Sequence, residues 1–165
     1  MFFFQAFIHS IKLPNKNAIF KLNRIGMDIT VIYMFLLLLL VAVPSFIAQW
    51  TGAENLMAEM NFLFFLIYFF IFFYLPLTII VFLSLSLVAY IAVAVARLMR
   101  RKLRFSILWK MSAYATTIPA VLYTVTALFI PVGNFFLILS VLFILIMLLA
   151  IISVYPKRRK RRRKN

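Results

Sequence analysis

Four long runs of apolar residues are the feature that most constrains how this chain can fold. They cover residues 29–48, 61–96, 112–130 and 135–155. About 20 apolar residues in an α-helix cross the ~30 Å hydrocarbon core of a bilayer. Only 13% of the 165 residues are charged, against about 25% in a typical soluble domain. The sequence therefore predicts an all-α, polytopic membrane protein with one membrane domain over residues 1–165.

The lysines and arginines predict the topology. Four precede the first run, six lie between the second and third runs, and eight follow the fourth. With four spans all 18 fall on one side of the membrane, whereas a fifth span would put two clusters outside. Cytoplasmic loops carry the excess of Lys and Arg. We therefore expect four transmembrane helices, with both termini in the cytoplasm.

The second run, residues 61–96, is longer than one straight span requires. Its 36 residues would form about 54 Å of helix. One interpretation has a span over 76–96, a bend at Pro76, and an aromatic extension over 61–75 at the outer interface. The alternative is a single, strongly tilted helix.

The N-terminal 24 residues predict an amphipathic helix at the membrane surface, followed by a basic segment. Phe3, Phe4, Phe7, Ile8 and Ile11 recur at three- and four-residue spacing, which puts them on one helical face. We expect Pro14 and Asn15 to end this helix.

Residue types that support catalysis are scarce. His9 is the only histidine, there is no cysteine, and the acids are Asp28, Glu54 and Glu59. No charged residue lies in the middle of a run, where proton-coupled transporters normally place one. We therefore predict a protein that is not an enzyme and has no cofactor, metal site or catalytic residue.

Polar residues are concentrated in the stretch FSILWKMSAYATTIPAVLYTVTALFIP, residues 105–131. Pro119 cannot donate to the carbonyl of Ala115, and we expect Thr116 and Thr117 to bond backbone carbonyls around that break. The predicted helix hinges are thus Pro76 and Pro119, the latter with Thr116 and Thr117. The predicted partner contacts are Trp109, Ser112, Tyr114, Phe64, Phe65 and Phe69.

Two basic clusters predict binding to anionic lipids, because each Lys or Arg near an anionic leaflet contributes about 1 kcal/mol. They comprise Arg100, Arg101, Lys102 and Arg104, and the polybasic tail (156–165) with Lys157, Arg158, Arg159, Lys160, Arg161, Arg162, Arg163 and Lys164. Interleaved aromatics for base stacking are missing, which disfavours nucleic acid.

Two motifs resemble a known family. Phe7, Ser10, Ile11, Pro14, Ile25 and Gly26 match its opening, and Trp109, Lys110, Ser112, Tyr114, Ala115, Thr117 and Pro119 are similar to its penultimate span. This is the uncharacterised family of Gram-positive membrane proteins called maltodextrin-utilisation (YvdJ-like) proteins. The resemblance implies a bacterial plasma-membrane protein, accessory to an ABC-type sugar importer. The family's sizeable extracytoplasmic domain is replaced here by about ten residues.

These observations support three hypotheses for function. The first is a non-catalytic accessory or regulatory subunit that binds other integral membrane proteins, most plausibly a transporter. The second is a small oligomeric transporter or channel, with Ser84, Ser86, Thr116, Thr117, Thr124 and Thr126 as candidate lining. The third, an intramembrane lipid enzyme, would have to rest on Asp28, Glu54 or Glu59 without a histidine.

Overall fold

A computed structural model describes residues 2–51, 61–101, 103–130, 132–133 and 135–156. Within these residues the chain forms eight α-helices and one π turn, and no strand. The helices are α1 (Phe2–Ile11), α2 (Lys16–Arg24), α3 (Met27–Thr51), α4 (Phe62–Phe69), α5 (Leu75–Leu98), α6 (Phe105–Ala115), α7 (Thr117–Phe129) and α8 (Phe135–Val154), and the π turn is Phe70–Tyr74. The prediction of an all-α protein is confirmed.

Four helical stretches are long and apolar enough to cross a membrane. They are Met27–Thr51, Phe62–Leu98, Phe105–Phe129 and Phe135–Val154. The second joins α4, the π turn and α5, and the third joins α6 and α7. The chain is therefore a multi-pass membrane protein with four candidate spans, as the apolar runs predict.

The N-terminal region forms two helices, where the sequence predicts one helix and a basic segment. A cis peptide bond joins Leu13 and Pro14 between α1 and α2. The side chain of Asn15 accepts a hydrogen bond from the N–H of Asn17, so Asn15 caps the start of α2. Both helices pack against α6, and Ile19 and Leu22 of α2 are fully buried. We call this end of the bundle, with α1, α2 and residues 99–101 and 103–104, the basic end.

The aromatic segment 61–75 continues the helix of the second span instead of leaving it. The N–H of Leu75 donates to the carbonyl of Phe70, a five-residue spacing that widens the helix just before Pro76. Proline lacks an N–H and crowds the carbonyl four residues earlier, and a π turn relieves such a conflict. The helix therefore passes Pro76 without a break.

The opposite end of the bundle, where α3 ends and α4 begins, is rich in ring contacts, and we call it the aromatic end. Phe65 lies 5.2 Å from Phe46 and 5.1 Å from Trp50, measured between ring centroids. Phe69 lies edge-on to Phe46 at 5.0 Å. These contacts hold α4 against the last turns of α3.

The core surrounds α6, which packs against α1, α2, α3, α5 and α8. All eight residues from Leu108 to Ala115 are buried. The facing side of α5 presents Ala89, Ala92 and Ala96, all buried, and small residues let membrane helices approach closely. The bundle is therefore packed most tightly at the basic end.

Candidate functional site: a polar clamp beside an apolar cavity

Two hydrogen-bonded pairs join α3 to the third span. The Thr30 and Tyr114 hydroxyl oxygens are 2.9 Å apart, and those of Tyr33 and Thr117 are 2.7 Å apart. Thr30 also donates to the carbonyl of Gly26 at 3.0 Å, so Tyr114 must be the donor in the first pair. Thr30 and Tyr33 are three residues apart, and so are Tyr114 and Thr117. This spacing puts the two residues of each span on one helical face. Together the two pairs set the register between the spans.

Lys110 lies inside the bundle and caps α2. Its side chain is only 8% exposed, and its Nζ donates to the carbonyls of Asn23 at 2.7 Å and Ile25 at 2.9 Å. The last carbonyls of a helix lack partners within the helix and carry partial negative charge. The ammonium group therefore satisfies carbonyls at the end of α2 and ties α2 to α6. We call Thr30, Tyr33, Lys110, Tyr114 and Thr117 the polar clamp.

Trp109 extends the contacts of α6 towards α5. Its indole N–H donates to the hydroxyl of Ser86 at 3.2 Å, and Ser86 in turn donates to the carbonyl of Phe82 at 2.8 Å. The rings of Trp109 and Phe82 lie 5.8 Å apart. On this side, α6 therefore makes both a hydrogen bond and a ring contact with α5.

The third span lacks one helical hydrogen bond next to Thr116, where α6 gives way to α7, because Pro119 has no N–H to donate; Thr116 itself keeps helical dihedral angles. Thr116 donates its hydroxyl proton to the carbonyl of Ser112 at 2.9 Å, as the sequence predicts for a residue near the Pro119 break. Thr117 does not bond a backbone carbonyl, because its hydroxyl pairs with Tyr33 instead. That part of the prediction is wrong for Thr117.

An apolar cavity of about 300 Å³ lies beyond this missing hydrogen bond, towards the aromatic end. Thr116 lines one end of it, and Val132 and Gly133 line another part. α3 contributes Leu38, Val41 and Ser45, and α7 contributes Pro119, Ala120 and Tyr123. The other helices contribute Phe73, Leu77, Val81, Phe136, Leu137 and Ser140. Faces of four helical stretches therefore converge on one space.

The residues predicted as partner contacts differ in their placement. Ser112 and Tyr114 are fully buried in the chain, Trp109 is almost fully buried, and Phe65 and Phe69 pack against α3. Phe64 is 64% exposed. Of these six side chains, Phe64 is the one that the chain itself leaves accessible.

The hydroxyls predicted to line a polar path do not share one. Ser84 and Thr126 are exposed and donate to carbonyls of their own helices. Ser86 bonds Trp109, and Thr117 belongs to the polar clamp. Among the six candidates, Thr116 lines the cavity.

The predicted lipid-binding cations are described only in part. Arg100 and Arg104 are exposed, and Arg101 has a buried Nε atom without a hydrogen-bond partner among the described residues. Arg100 has a φ of 54° and closes α5 with a turn in which the Arg101 N–H donates to the carbonyl of Ala96. Lys102 and Lys157 to Lys164 lie outside the described residues.

The side chains of the polar clamp hold the helices together. Its Lys, Tyr and Thr side chains are occupied by one another and by backbone carbonyls, and none is left facing the cavity as a reactive group. Among the described residues, no three or more His, Cys, Asp or Glu side chains come together to hold a metal ion. Glu54 and Glu59 lie outside those residues. This arrangement can hold helices in position and accommodate an apolar ligand between them.

Sequence reasoning missed Thr30, Tyr33 and the carbonyls at the end of α2. A signal was present, because Thr30 and Tyr33 have the same three-residue spacing as Tyr114 and Thr117. Two matching polar pairs on separate apolar helices favour hydrogen bonding between those helices.

Comparison with known proteins gives one match. A family model described as "Protein of unknown function (DUF1189)" matches residues 51–151. No curated protein and no solved structure matches the chain. The matched region contains α6, the missing helical hydrogen bond next to Thr116 and most of the cavity lining, but neither Thr30 nor Tyr33.

Proposed function

The chain belongs to the DUF1189 family of proteins of unknown function, and we propose that it is a non-catalytic accessory or regulatory subunit of a larger plasma-membrane complex. The observation that carries this proposal is the exposed apolar surface at the start of α4. Phe62, Leu63 and Phe64 are each more than half exposed there.

Helix length supports a protein partner for this surface. The second span has 37 residues, or about 55 Å of helix, and at the average tilt of about 20° it would cover about 52 Å. A bilayer is about 40–45 Å thick including its headgroups. If the basic residues after α5 lie at one membrane surface, the start of α4 extends through the opposite headgroup region. Trp and Tyr are the residues that favour that region, whereas this surface carries Phe and Leu.

The partner in this proposal is the membrane subunit of an ABC-type transporter. The resemblance of the two motifs to maltodextrin-utilisation proteins favours a bacterial sugar importer. The distribution of Lys and Arg favours cytoplasmic N- and C-termini, which would put the exposed start of α4 on the extracytoplasmic side. A partner would then contact it from the rim of its own transmembrane bundle.

Site-specific photocrosslinking tests the proposal. A photoreactive phenylalanine analogue at Phe64 should give a discrete protein adduct in native membranes. The same analogue at Leu83, which is 66% exposed but lies in the middle of the span, is the matched control and should give none. Mass spectrometry of the adduct identifies the partner. Equal crosslinking at both positions, or only adducts of the chain with itself, would contradict the proposal.

A small oligomeric transporter or channel is the second candidate, and the cavity between the helices favours it. Purified protein in liposomes should then pass a sugar, an ion or a lipid. A lack of flux in well-folded, oligomeric preparations would exclude this candidate and leave the accessory role intact.

The exposed cations at the basic end support a further part of the proposal, the binding of anionic lipid. Arg100 and Arg104 are exposed, and their guanidinium groups can donate to phosphate oxygens. The amount of phosphatidylglycerol that copurifies with the detergent-solubilised protein should fall as salt is raised, because salt screens exposed charges.

A further inference from the structure

The cavity exists because the third span changes its packing at Thr116. α6 packs along α5, whereas α7 packs mainly along α3 and has little contact with α5. Pro119 has no N–H to donate to the carbonyl of Ala115, so the helix is weakest where its packing changes. Beyond that point α3 and α7 stay together, α5 and α8 lie opposite, and a gap opens between them.

Water is a poor occupant for this gap. At about 30 Å³ per molecule, 300 Å³ corresponds to roughly ten waters. Each would need two to four polar partners, yet the described lining contains no charged side chain and is mostly Leu, Val, Phe and Pro. The hydroxyls of Thr116 and Ser140 are already bonded to backbone carbonyls.

Hydrocarbon is a better occupant. A methylene group fills about as much space as a water molecule, so the cavity accommodates a chain of roughly ten carbons. A chain that enters from the bilayer gains nothing from the hydrophobic effect, but it supplies the van der Waals contacts that an empty gap lacks. Shape and length therefore select a linear apolar chain.

Two hydroxyl groups supply polar atoms in the cavity wall. Ser45 and Tyr123 line it, and neither hydroxyl has a hydrogen-bond partner among the described residues. Ser45 lies 12 residues beyond Tyr33 and Tyr123 lies six residues beyond Thr117, about 18 Å and 9 Å along the two helices. Because Tyr33 and Thr117 are bonded to each other, Ser45 lies nearer the aromatic end, and Tyr123 lies about 9 Å closer to the polar clamp.

We propose that this cavity binds one acyl chain of a membrane glycerolipid, whose ester carbonyl accepts a hydrogen bond from Ser45 or Tyr123. Nothing in the proposed accessory role requires such a site, and the two proposals stand independently. The lipid comes from the leaflet at the aromatic end, on the opposite side of the bundle from the basic residues.

Native mass spectrometry of protein extracted from vesicles of phosphatidylglycerol and phosphatidylethanolamine tests the proposal. The unmodified chain should retain one lipid per copy at high salt, which releases phosphatidylglycerol held only by the exposed cations. Ala120→Leu, which occupies about three of the roughly ten carbon positions in the cavity, should reduce that retention at least tenfold. Ala94→Leu adds the same volume to an exposed face of α5 and should retain the lipid.

A second variant distinguishes a change in the cavity from misfolding of the protein. Ser45→Ala combined with Tyr123→Phe keeps the volume but removes both hydroxyls, and it should lower retention at least threefold. Vesicles of either single lipid should give equal occupancy at high salt, because the chain and ester are recognised and not the headgroup. The proposal is overturned if Ala120→Leu and Ala94→Leu retain lipid equally, if the unmodified chain retains none, or if only phosphatidylglycerol is retained.

Discussion

Replacing Lys110 by methionine should release α2 from the bundle. The two hydrogen bonds from Nζ to the carbonyls of Asn23 and Ile25 are charge-assisted and worth about 1.5–3 kcal/mol each. Burying an ammonium group offsets several kcal/mol of that gain. A cation in a partly buried position at a helix C-terminus contributes up to about 2 kcal/mol net. We therefore expect Lys110→Met to make the docking of α2 less favourable by about 2 kcal/mol.

The absence of cysteine from the chain makes this loss measurable. Ala18 lies on α2 and is 3% exposed, so Ala18→Cys places a small thiol in a protected position. A maleimide should label it only when α2 lifts from α6. A loss of 2 kcal/mol corresponds to about 30-fold faster labelling, because 1.4 kcal/mol is a factor of ten.

A charge-matched control distinguishes capping from net charge. Arg104→Met also removes one cation, but from an exposed side chain, and it should change the labelling rate less than twofold. Labelling that accelerates less than threefold in Lys110→Met, or equally in both variants, would refute the idea that Lys110 holds α2.

Three further predictions concern the clamp, the helix break and pH. Tyr114→Phe removes the donor to Thr30 and should cost about 0.6 kcal/mol, the average for such bonds in membranes, in denaturant titrations of the detergent-solubilised protein; the same loss in a Thr30→Val background would contradict a direct bond. Pro119→Ala restores an N–H to the third span and should stabilise it by about 1 kcal/mol, with less retained lipid; unchanged stability would show that Pro119 does not weaken the helix. Burial lowers the pKa of His9, and Lys21 and Lys12 add to the effect. Protonation of His9 therefore opposes folding, and the docking of α1 and α2 should weaken as pH falls below about 6.5. His9→Asn should abolish that weakening, measured as the ratio of the Ala18→Cys labelling rates with and without His9→Asn at the same pH.

The span architecture was predictable because it depends on composition. Helices buried in lipid must be about 20 apolar residues long, and the excess of Lys and Arg marks loops without reference to tertiary contacts. Composition does not determine whether the helix over residues 61–98 is continuous or bends at Pro76. The sequence allows Pro76 either to bend the helix or to follow a π turn, and the choice depends on the contacts of Phe65 and Phe69 with α3.

The second N-terminal helix was predictable in principle. Asn15 is a good N-cap residue, and Ala18, Ile19 and Leu22 fall on one face of the helix that follows. If Asn15 is interpreted as the end of the first helix, its role as the N-cap of the second helix is overlooked. Local pattern alone does not separate these interpretations, because both place a turn at Pro14.

The role of Lys110 was beyond sequence reasoning, for a physical reason. Its partners are backbone carbonyls 85 and 87 residues away, and every residue type offers a carbonyl. Position relative to the apolar run predicts a lysine at the membrane surface. The tertiary arrangement instead covers that surface with α2, so the same lysine becomes buried and acquires a structural role.

The polar residues of the third span divide at Thr116 into two sets with different consequences. On the α6 side, Lys110 and Tyr114 bond to α2 and α3, and the surrounding side chains are buried. On the α7 side, the Tyr33 bond to Thr117 lies beside the cavity, which both Thr116 and Pro119 line. α6 is therefore held from several directions, whereas α7 beyond Thr117 is supported mainly by apolar packing on α3. Any change in the angle of the third span must then occur in α7, and it would alter the volume of the cavity while leaving the polar clamp in place.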